Sequence, residues 1–545
     1  MRILSVNDLH GQIPDSDAKV DGVEIGGAAT LAAYVQRERA GNPDGTFFVS
    51  AGDMLGASPP ESQLLRHHPT LAVLDAMGLD LATFGNHEFD RGYAEAVRII
   101  FGDEAYAAAA AAQGIAPAPA AKARRRKGSS AKLDAAAGAK HVAGAKGKPA
   151  WPGSPFPWVS ANIVDAKTKR PILPPYVIRE INGVKVAFVG ATTKDLKNVT
   201  VAKGIPNIES LDPATTINGY IPEIKAKGAK AIVVVVHEGG EVDKADKTKV
   251  TGAIAELAEK LDPEVDAVVS GHSHKEYATT IAGKQVVQAG NYAKALGVID
   301  LAVDRKTGQV VSSSSRLVRN DQHGIQPDKR IAAMAASYHK AVAPRTEKVI
   351  TTLAAPLTRE ASPAGETALG AVIADAQRSF AKTDIALMNM GGVRQDLTTP
   401  GPLKWGALFG VQPFANIVMK IELTGAELLE AFEQQFPATG EPKVLQLSGL
   451  TVSFDLTKPV GKRITKVVMA DGTPLDPAKT YSVAANQFLA DGGDGFTALK
   501  KGRKRTELGV DLDALVAYLS KGPKLSATPP GRIKIEGGAL PAHDH

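Results

Sequence analysis

Seven apolar runs in the first 300 residues are rich in β-branched or aromatic side chains, and five of them halt at aspartate, asparagine or histidine. The runs are 2–7, 46–50, 79–84, 158–162, 184–190, 231–236 and 266–270. Segments of this length and composition read as strands buried in a layered sheet. Stretches with helical spacing of apolar residues, such as 26–39, 62–77 and 249–261, separate several of them. The alternation predicts a layered α/β domain.

What stands at the ends of the runs gives the domain its chemistry. The first leads into Asp8-Leu-His10, the second into Gly52-Asp53, and the third into Gly85-Asn86-His87-Glu88-Phe89-Asp90. Two later runs end in His237-Glu238 and in Gly271-His272-Ser273-His274. Ligands of such sheets collect beyond the carboxyl ends of the strands, so these groups are expected on one rim. The chain has no cysteine, which excludes disulfides and thiolate chemistry and leaves His, Asp, Glu, Asn and Gln as possible metal ligands. Imidazole and carboxylate together suit Zn, Mn, Fe or Co. A carboxylate bridges two such ions about 3.5–4 Å apart, and Asp53 is the natural bridge. A single Asp-x-His is commonly a turn and a single Gly-Asn-His a helix cap; five such ends in one chain point to a dinuclear centre.

These motifs resemble the signature of calcineurin-like metallophosphoesterases. The Phe-Asp extension and the second half of the chain narrow the resemblance to the 5′-nucleotidase family, which includes periplasmic UDP-sugar hydrolases. The resemblance implies an N-terminal four-layer α/β/β/α sandwich followed by a C-terminal α/β substrate-binding domain. It implies that Asp8, His10, Asp53 and His274 hold one divalent ion and that Asp53, Asn86, His237 and His272 hold the other. His87 would be the catalytic histidine, oriented by Asp90. Glu88 is either a support for the ligands or a solvent-facing residue.

In the second half, Asn389-Met-Gly-Gly-Val-Arg394, Gln412-Pro-Phe414 and the segment from Asn486 to Phe496 are similar to the family's substrate-binding motifs. By that resemblance Phe414 and Phe488 stack the base, Arg394 meets phosphate or carboxylate-like groups, and Asp494 accepts from the ribose hydroxyls beside Asn389. Met390 stands where the family has glycine, and Arg359 corresponds loosely to a further arginine that contacts substrate. The expected reaction is hydrolysis of nucleoside 5′-monophosphates, extending to nucleotide sugars or 2′,3′-cyclic nucleotides. Two alternatives are a thiosulfohydrolase of sulfur oxidation and an inactive nucleotide- or nucleic-acid-binding protein. With metal ligands before residue 275 and nucleoside contacts after residue 358, the substrate is expected to touch both halves.

Charge argues against a nucleic-acid partner. Nine basic residues and one acid between Lys122 and Lys148 contribute +8 to a net charge of +6, which leaves −2 for the rest. The segment 103–153, mostly Ala, Lys, Arg, Gly, Ser and Pro, reads as a surface insertion able to touch anionic surfaces. The expected division is a catalytic domain over 1–325, a linking helix over 326–347 and a substrate domain over 348–545. No run is long and apolar enough to span a bilayer. The first residues lack a signal-peptide core, so the expected location is periplasmic or secreted with the leader absent, or else cytoplasmic.

Overall fold

The computed structural model describes residues 1–16, 19–103, 151–243, 245–246, 248–438 and 441–540. The basic insertion lies outside the described residues, apart from its edges. The chain divides into two compact units, Met1–Val342 and Ala343–His545.

The first unit is built on two six-stranded sheets. In chain order the strands of the first are β1 (Arg2–Val6), β2 (Thr46–Ser50), β3 (Leu81–Thr83) and β4 (Trp158–Val159), joined later by a hairpin from 295–319. β1 to β4 are parallel neighbours, so their carboxyl ends share one edge. The second sheet contains β5 (Val184–Thr192), β6 (Ala231–His237), β7 (Ala267–Val269) and β8 (Lys284–Ala289), again parallel to their neighbours. Period-2 alternation divides each strand between two cores. Ile3, Val49, Leu81, Phe188, Val233, Val235, Val269 and Val287 meet between the sheets. Leu4, Phe48 and Ala82 face a helical layer on one outer side, and Ile232, Val234, Val236 and Val268 face another. The result is the expected four-layer α/β/β/α sandwich.

One expected helix is broken. The stretch 62–77 forms two pieces, Pro60–Gln63 and His68–Ala76. Arg66 and His67 between them adopt left-handed φ of 59° and 64°, and Pro69 lacks the N–H that a continuous helix would need there. A helix runs over Lys329–Thr346, inside the stretch 326–347 where a linking helix is expected.

The second unit centres on a five-stranded sheet. Its strands β9 (Ile385–Met388) and β10 (Thr480–Asn486) are parallel neighbours. Helices Ala368–Ala381 and Asp511–Leu519 pack on one face through Ala381, Ala386, Val418, Ala484 and Ala514. The other face carries the larger core, with Phe432, Phe436, Phe454 and Phe496 fully buried. This is the expected C-terminal α/β domain.

Candidate metal centre

Parallel strands in both sheets bring the polar ends together. Asp8 and His10 follow β1, Asp53 follows β2, Asn86 and His87 follow β3, His237 closes β6, and His272 and His274 follow β7. Three overlapping groups have their ligand atoms within 4.8 Å of one another: Asp8, His10 and His274; His10, Asp53 and His87; Asp53, His237 and His272. Asp53 and His10 are each shared by two groups. Asn86 joins the third through its Oδ1, 3.1 Å from His237 Nε2.

The imidazoles are held by their outer nitrogens. His10 Nδ1 lies 3.0 Å from the Gly56 carbonyl and His237 Nδ1 2.8 Å from that of Ala51. A carbonyl only accepts, so each Nδ1 carries a proton and each Nε2 faces inward, where a bound cation would take the place of any second proton. His274 Nδ1 meets the Asn291 amide at 3.0 Å. Inward, His237 Nε2 lies 3.1 Å from Asp53 Oδ2, His274 Nε2 3.3 Å from Asp8 Oδ1, and the Nε2 atoms of His10 and His274 are 3.3 Å apart. Two basic nitrogens aimed at one another beside a carboxylate form a donor set that a cation satisfies.

Electrostatics agree with the geometry. Burial opposes the charge on Asp8, but His274 and His237 outweigh it and hold the carboxyl down at about 2. Burial likewise opposes protonation of His237, yet Asp53 and Asp8 push it up to about 10. These carboxylates demand positive charge, from a proton or from a divalent ion. His272, lowered to about 4 by burial and then by His237, stays neutral as a metal ligand must.

The backbone is strained at these positions. Asp8 (φ 48°), His10 (47°), Asp53 (49°), His272 (77°) and His274 (61°) all occupy the left-handed region, so five of the seven candidate ligands adopt a conformation that costs a non-glycine residue about 1 kcal/mol or more. Gly52 and Gly85 let the β2 and β3 ends approach. A Cβ on Gly85 would collide with the Asp53 carboxylate and sit 2.5 Å from its backbone nitrogen.

His87 donates its backbone N–H to Asp53 Oδ1 at 2.8 Å, while its Nδ1 lies 2.9 and 3.0 Å from the two Asp90 carboxylate oxygens. Its Nε2 reaches to 4.0 Å from Asp53 Oδ2. The geometry therefore permits either a ligand or a proton-handling group at His87.

Sequence reasoning left Glu88 open and did not single out Asn7. Glu88 is buried rather than solvent-facing: it accepts from the backbone N–H groups of Gly85 (2.7 Å), Asp53 (3.0 Å) and Leu55 (3.2 Å) and so staples the β2 and β3 loops together. Burial, then the nearby Asp53, raises its pKa to about 7. Asn7 donates to Asp8 Oδ2 at 2.7 Å and to the Gly290 carbonyl at 2.6 Å.

In the second unit, β9 and β10 deliver Asn389 and Asn486 to the same edge. Asn486 Nδ2 donates to Asn389 Oδ1 (2.9 Å), and Asn389 Nδ2 donates to Asp494 Oδ2 (2.8 Å). Arg394 lies over the Phe414 ring at 5.8 Å. Phe488 lines Gly493, where a Cβ would sit 2.5 Å from its ring. Phe414 and Phe488 are both half-buried, unlike the core phenylalanines of this unit. Met390 keeps negative φ in a short 3₁₀ turn, so glycine is not required there, and its sulfur accepts from Thr367 Oγ1 at 3.6 Å. Arg359 is bound to Asp396, its Nε donating at 3.1 Å, and forms no described hydrogen bond with the other candidate substrate residues.

With this geometry established, the comparisons decide the family. A family model described as calcineurin-like phosphoesterase matches residues 1–118, and one for the 5′-nucleotidase C-terminal domain matches residues 346–501. A cell wall protein of Listeria monocytogenes is 32% identical over 98% of this chain and 69% of its own length. The chain belongs to the 5′-nucleotidase family. An endonuclease of Bacillus subtilis is 35% identical over 98% of this chain, which spans only 41% of that protein's length. A solved 5′-nucleotidase precursor of Thermus thermophilus is 25% identical with a TM-score of 0.77, covering 98% of this chain and 99% of that one. The proposed ligands His237, His272 and His274 lie beyond the matched phosphoesterase segment and are supplied by the second sheet.

The Glu88 staple is open to test. Glu88→Ala leaves three buried N–H groups unpaired, each costing about 1–3 kcal/mol. The variant should show a lowered unfolding midpoint together with reduced metal uptake; an unchanged midpoint with normal metal content would remove Glu88 from the support of Asp53.

Proposed function

We propose that this protein is a two-ion phosphoester hydrolase that releases phosphate from nucleoside 5′-monophosphates. The observation that carries the reading is the shared position of Asp53 between two clusters of ligand atoms, with His87 and Asp90 directly beside it. Asp8, His10, Asp53 and His274 hold one ion, and Asp53, Asn86, His237 and His272 the other. Divalent ions in these places neutralise the phosphate oxygens and lower the pKa of an attacking water. Zn, Mn, Co and Fe all suit the donor set.

The chain's own residues do the rest. Asp90 fixes the His87 ring through Nδ1 and favours its protonated form. Nε2 then holds a proton that it gives to the leaving ester oxygen as the bond breaks. Family membership supports His87 in this role over that of a third ligand. Asp494 accepts from the ribose hydroxyls beside Asn389, and Phe414 and Phe488 present half-exposed rings for the base. Arg394 adds a cation beside them. Arg359, engaged by Asp396, takes part only if that ion pair opens. Nucleotide sugars and 2′,3′-cyclic nucleotides combine the same phosphoester and nucleoside and are proposed as secondary substrates. The Listeria relative is a cell wall protein, and we propose an extracytoplasmic location here too. Among the described residues no helix is long and apolar enough to cross a membrane.

Three substitutions test the reading. Asp53→Asn removes the anion shared by both ions, so metal content and turnover should fall together by orders of magnitude; a fully loaded, near-normal enzyme would refute the shared-ligand assignment. His87→Asn should keep its metal while kcat falls about 10²- to 10⁴-fold. Metal analysis of the same sample distinguishes this from a ligand role, which would cost an ion. Phe488→Ala should lose about 1–3 kcal/mol of stacking, measured as kcat/KM for AMP, with hydrolysis of a small aryl phosphate nearly unchanged. An equal loss for both substrates would place Phe488 in the fold and not in base recognition.

A further inference from the structure

β8 is the fourth parallel strand to end on the metal-bearing rim of the second sheet, yet the segment after it supplies none of the proposed ligands. That segment, Ala289-Gly290-Asn291-Tyr292, nevertheless touches the whole Asp8, His10 and His274 group. The Ala289 N–H donates to Asn7 Oδ1 at 2.8 Å, and the Gly290 carbonyl accepts from Asn7 Nδ2, the same amide nitrogen that donates to Asp8. The Asn291 side-chain amide, nine-tenths buried, has its nitrogen 3.0 Å from His274 Nδ1, and a metal-binding Nε2 needs this amide turned so that its oxygen accepts the Nδ1 proton. The Tyr292 N–H donates to the Asp8 carbonyl at 2.8 Å. Its ring stands 5.3 Å from that of His10 and 5.9 Å, edge-on, from that of His274. Tyr292 and Ala293 both occupy left-handed φ, at 50° and 59°, a cost that neither residue type repays by itself.

Among the described hydrogen bonds, none runs from this segment to Asp53, Asn86, His237 or His272. Asp53 is held by the Glu88 staple and His237 by the Ala51 carbonyl, both from the first sheet. The Glu88 staple on Asp53 serves both ions and the Asp8 carboxylate also accepts from the His272 N–H at 2.9 Å, so the contacts from 289–292 are the support that distinguishes the Asp8, His10 and His274 side. We infer that Asn291 and Tyr292 are positioning residues for one ion only, the one held by Asp8, His10 and His274, and that loss of either converts a two-ion centre into a one-ion centre. The inference rests on the two-ion reading proposed above. Its physical basis is that a ligand imidazole free to rotate binds a metal about 10- to 100-fold more weakly than one whose other nitrogen is held.

The experiment is titration of the metal-stripped full chain with Mn(II), followed by calorimetry and by electron paramagnetic resonance. Wild type and Tyr292→Phe, which keeps the ring, should take up two ions and give the exchange-coupled signal of a pair. Asn291→Ala and Tyr292→Leu should bind one ion with unchanged affinity and the second about 10- to 100-fold more weakly. At one equivalent of metal they should show an uncoupled six-line spectrum. On a His237→Ala background, Asn291→Ala should weaken the ion that remains. If both ions weaken equally, or neither does, in folded Asn291→Ala and Tyr292→Leu proteins, the inference is overturned while the two-ion reading stands. Uptake of a single ion by wild type would overturn the two-ion reading itself, and this inference with it.

Discussion

The first unit depends on the burial of two carboxylates, Asp8 and Asp53, side by side at the rim of a sandwich whose strands are otherwise apolar. Two buried anions this close are tolerated only with compensating positive charge. The rim is organised to meet that need. Imidazoles converge on the carboxylates, their outer nitrogens are tied to backbone carbonyls or an amide, and five candidate ligands sit in left-handed backbone. The buried charges and the left-handed backbone cost folding free energy and do not improve the core. Together they make sense as preparation for a cation, whose binding energy offsets them. Strain and function are thus one feature of this unit.

Apolar packing supplies the rigidity that such preparation needs. The strands carrying the ligands are central in their sheets and buried on both faces, with Val233, Val235, Phe188 and Val269 on the inner side and helices outside. Gly52 and Gly85 remove the two Cβ atoms that would hold the β2 and β3 ends apart, and Glu88 then ties those ends with three backbone hydrogen bonds. A carboxylate used in this way is costly to bury, and its raised pKa records that cost. It nevertheless does what an apolar residue cannot, since the loop N–H groups it accepts from have no strand partner.

The convergence of these side chains on one rim was legible in the sequence because each follows or closes a strand, and strands announce themselves by β-branched runs such as Ala231–His237. A layered α/β domain was legible for the same reason, while its four layers were expected from the family resemblance. The supports were not. Asn7, Glu88 and Asn291 act through hydrogen bonds to residues distant in sequence, and nothing in their local composition marks them. The run 284–289 did carry a signal, since Gln-Val-Val-Gln-Ala ends in Gly290-Asn291, but polar Gln285 and Gln288 interrupt its apolar pattern. Gln288 is fully buried and hydrogen-bonded to Tyr277 and Ser273, which a reading of hydropathy cannot foresee. The broken helix at 62–77 misled for a related reason. Its apolar spacing continues across Arg66 and His67, while the chain reverses there into left-handed φ.

The second unit shows how far residue type carries an argument about recognition. Four of its phenylalanines are wholly buried and explain themselves as core. Phe414 remains half-buried on the loop after the helix Trp405–Val411, and Phe488 remains half-buried in the short helix Gln487–Ala490 that follows β10, so neither ring is wholly given to the core. Beside Phe488, Asn389, Asn486 and Asp494 already satisfy one another in a chain of hydrogen bonds. A ribose hydroxyl entering there would exchange one good partner for another, so the polar chain contributes orientation more than affinity. On the reading proposed above, the half-buried rings, Phe414 beneath Arg394 among them, supply the apolar contact that this polar chain does not. On the proposed reading, selectivity among nucleosides follows the stacking strength of the base, with the ribose contacts setting its direction.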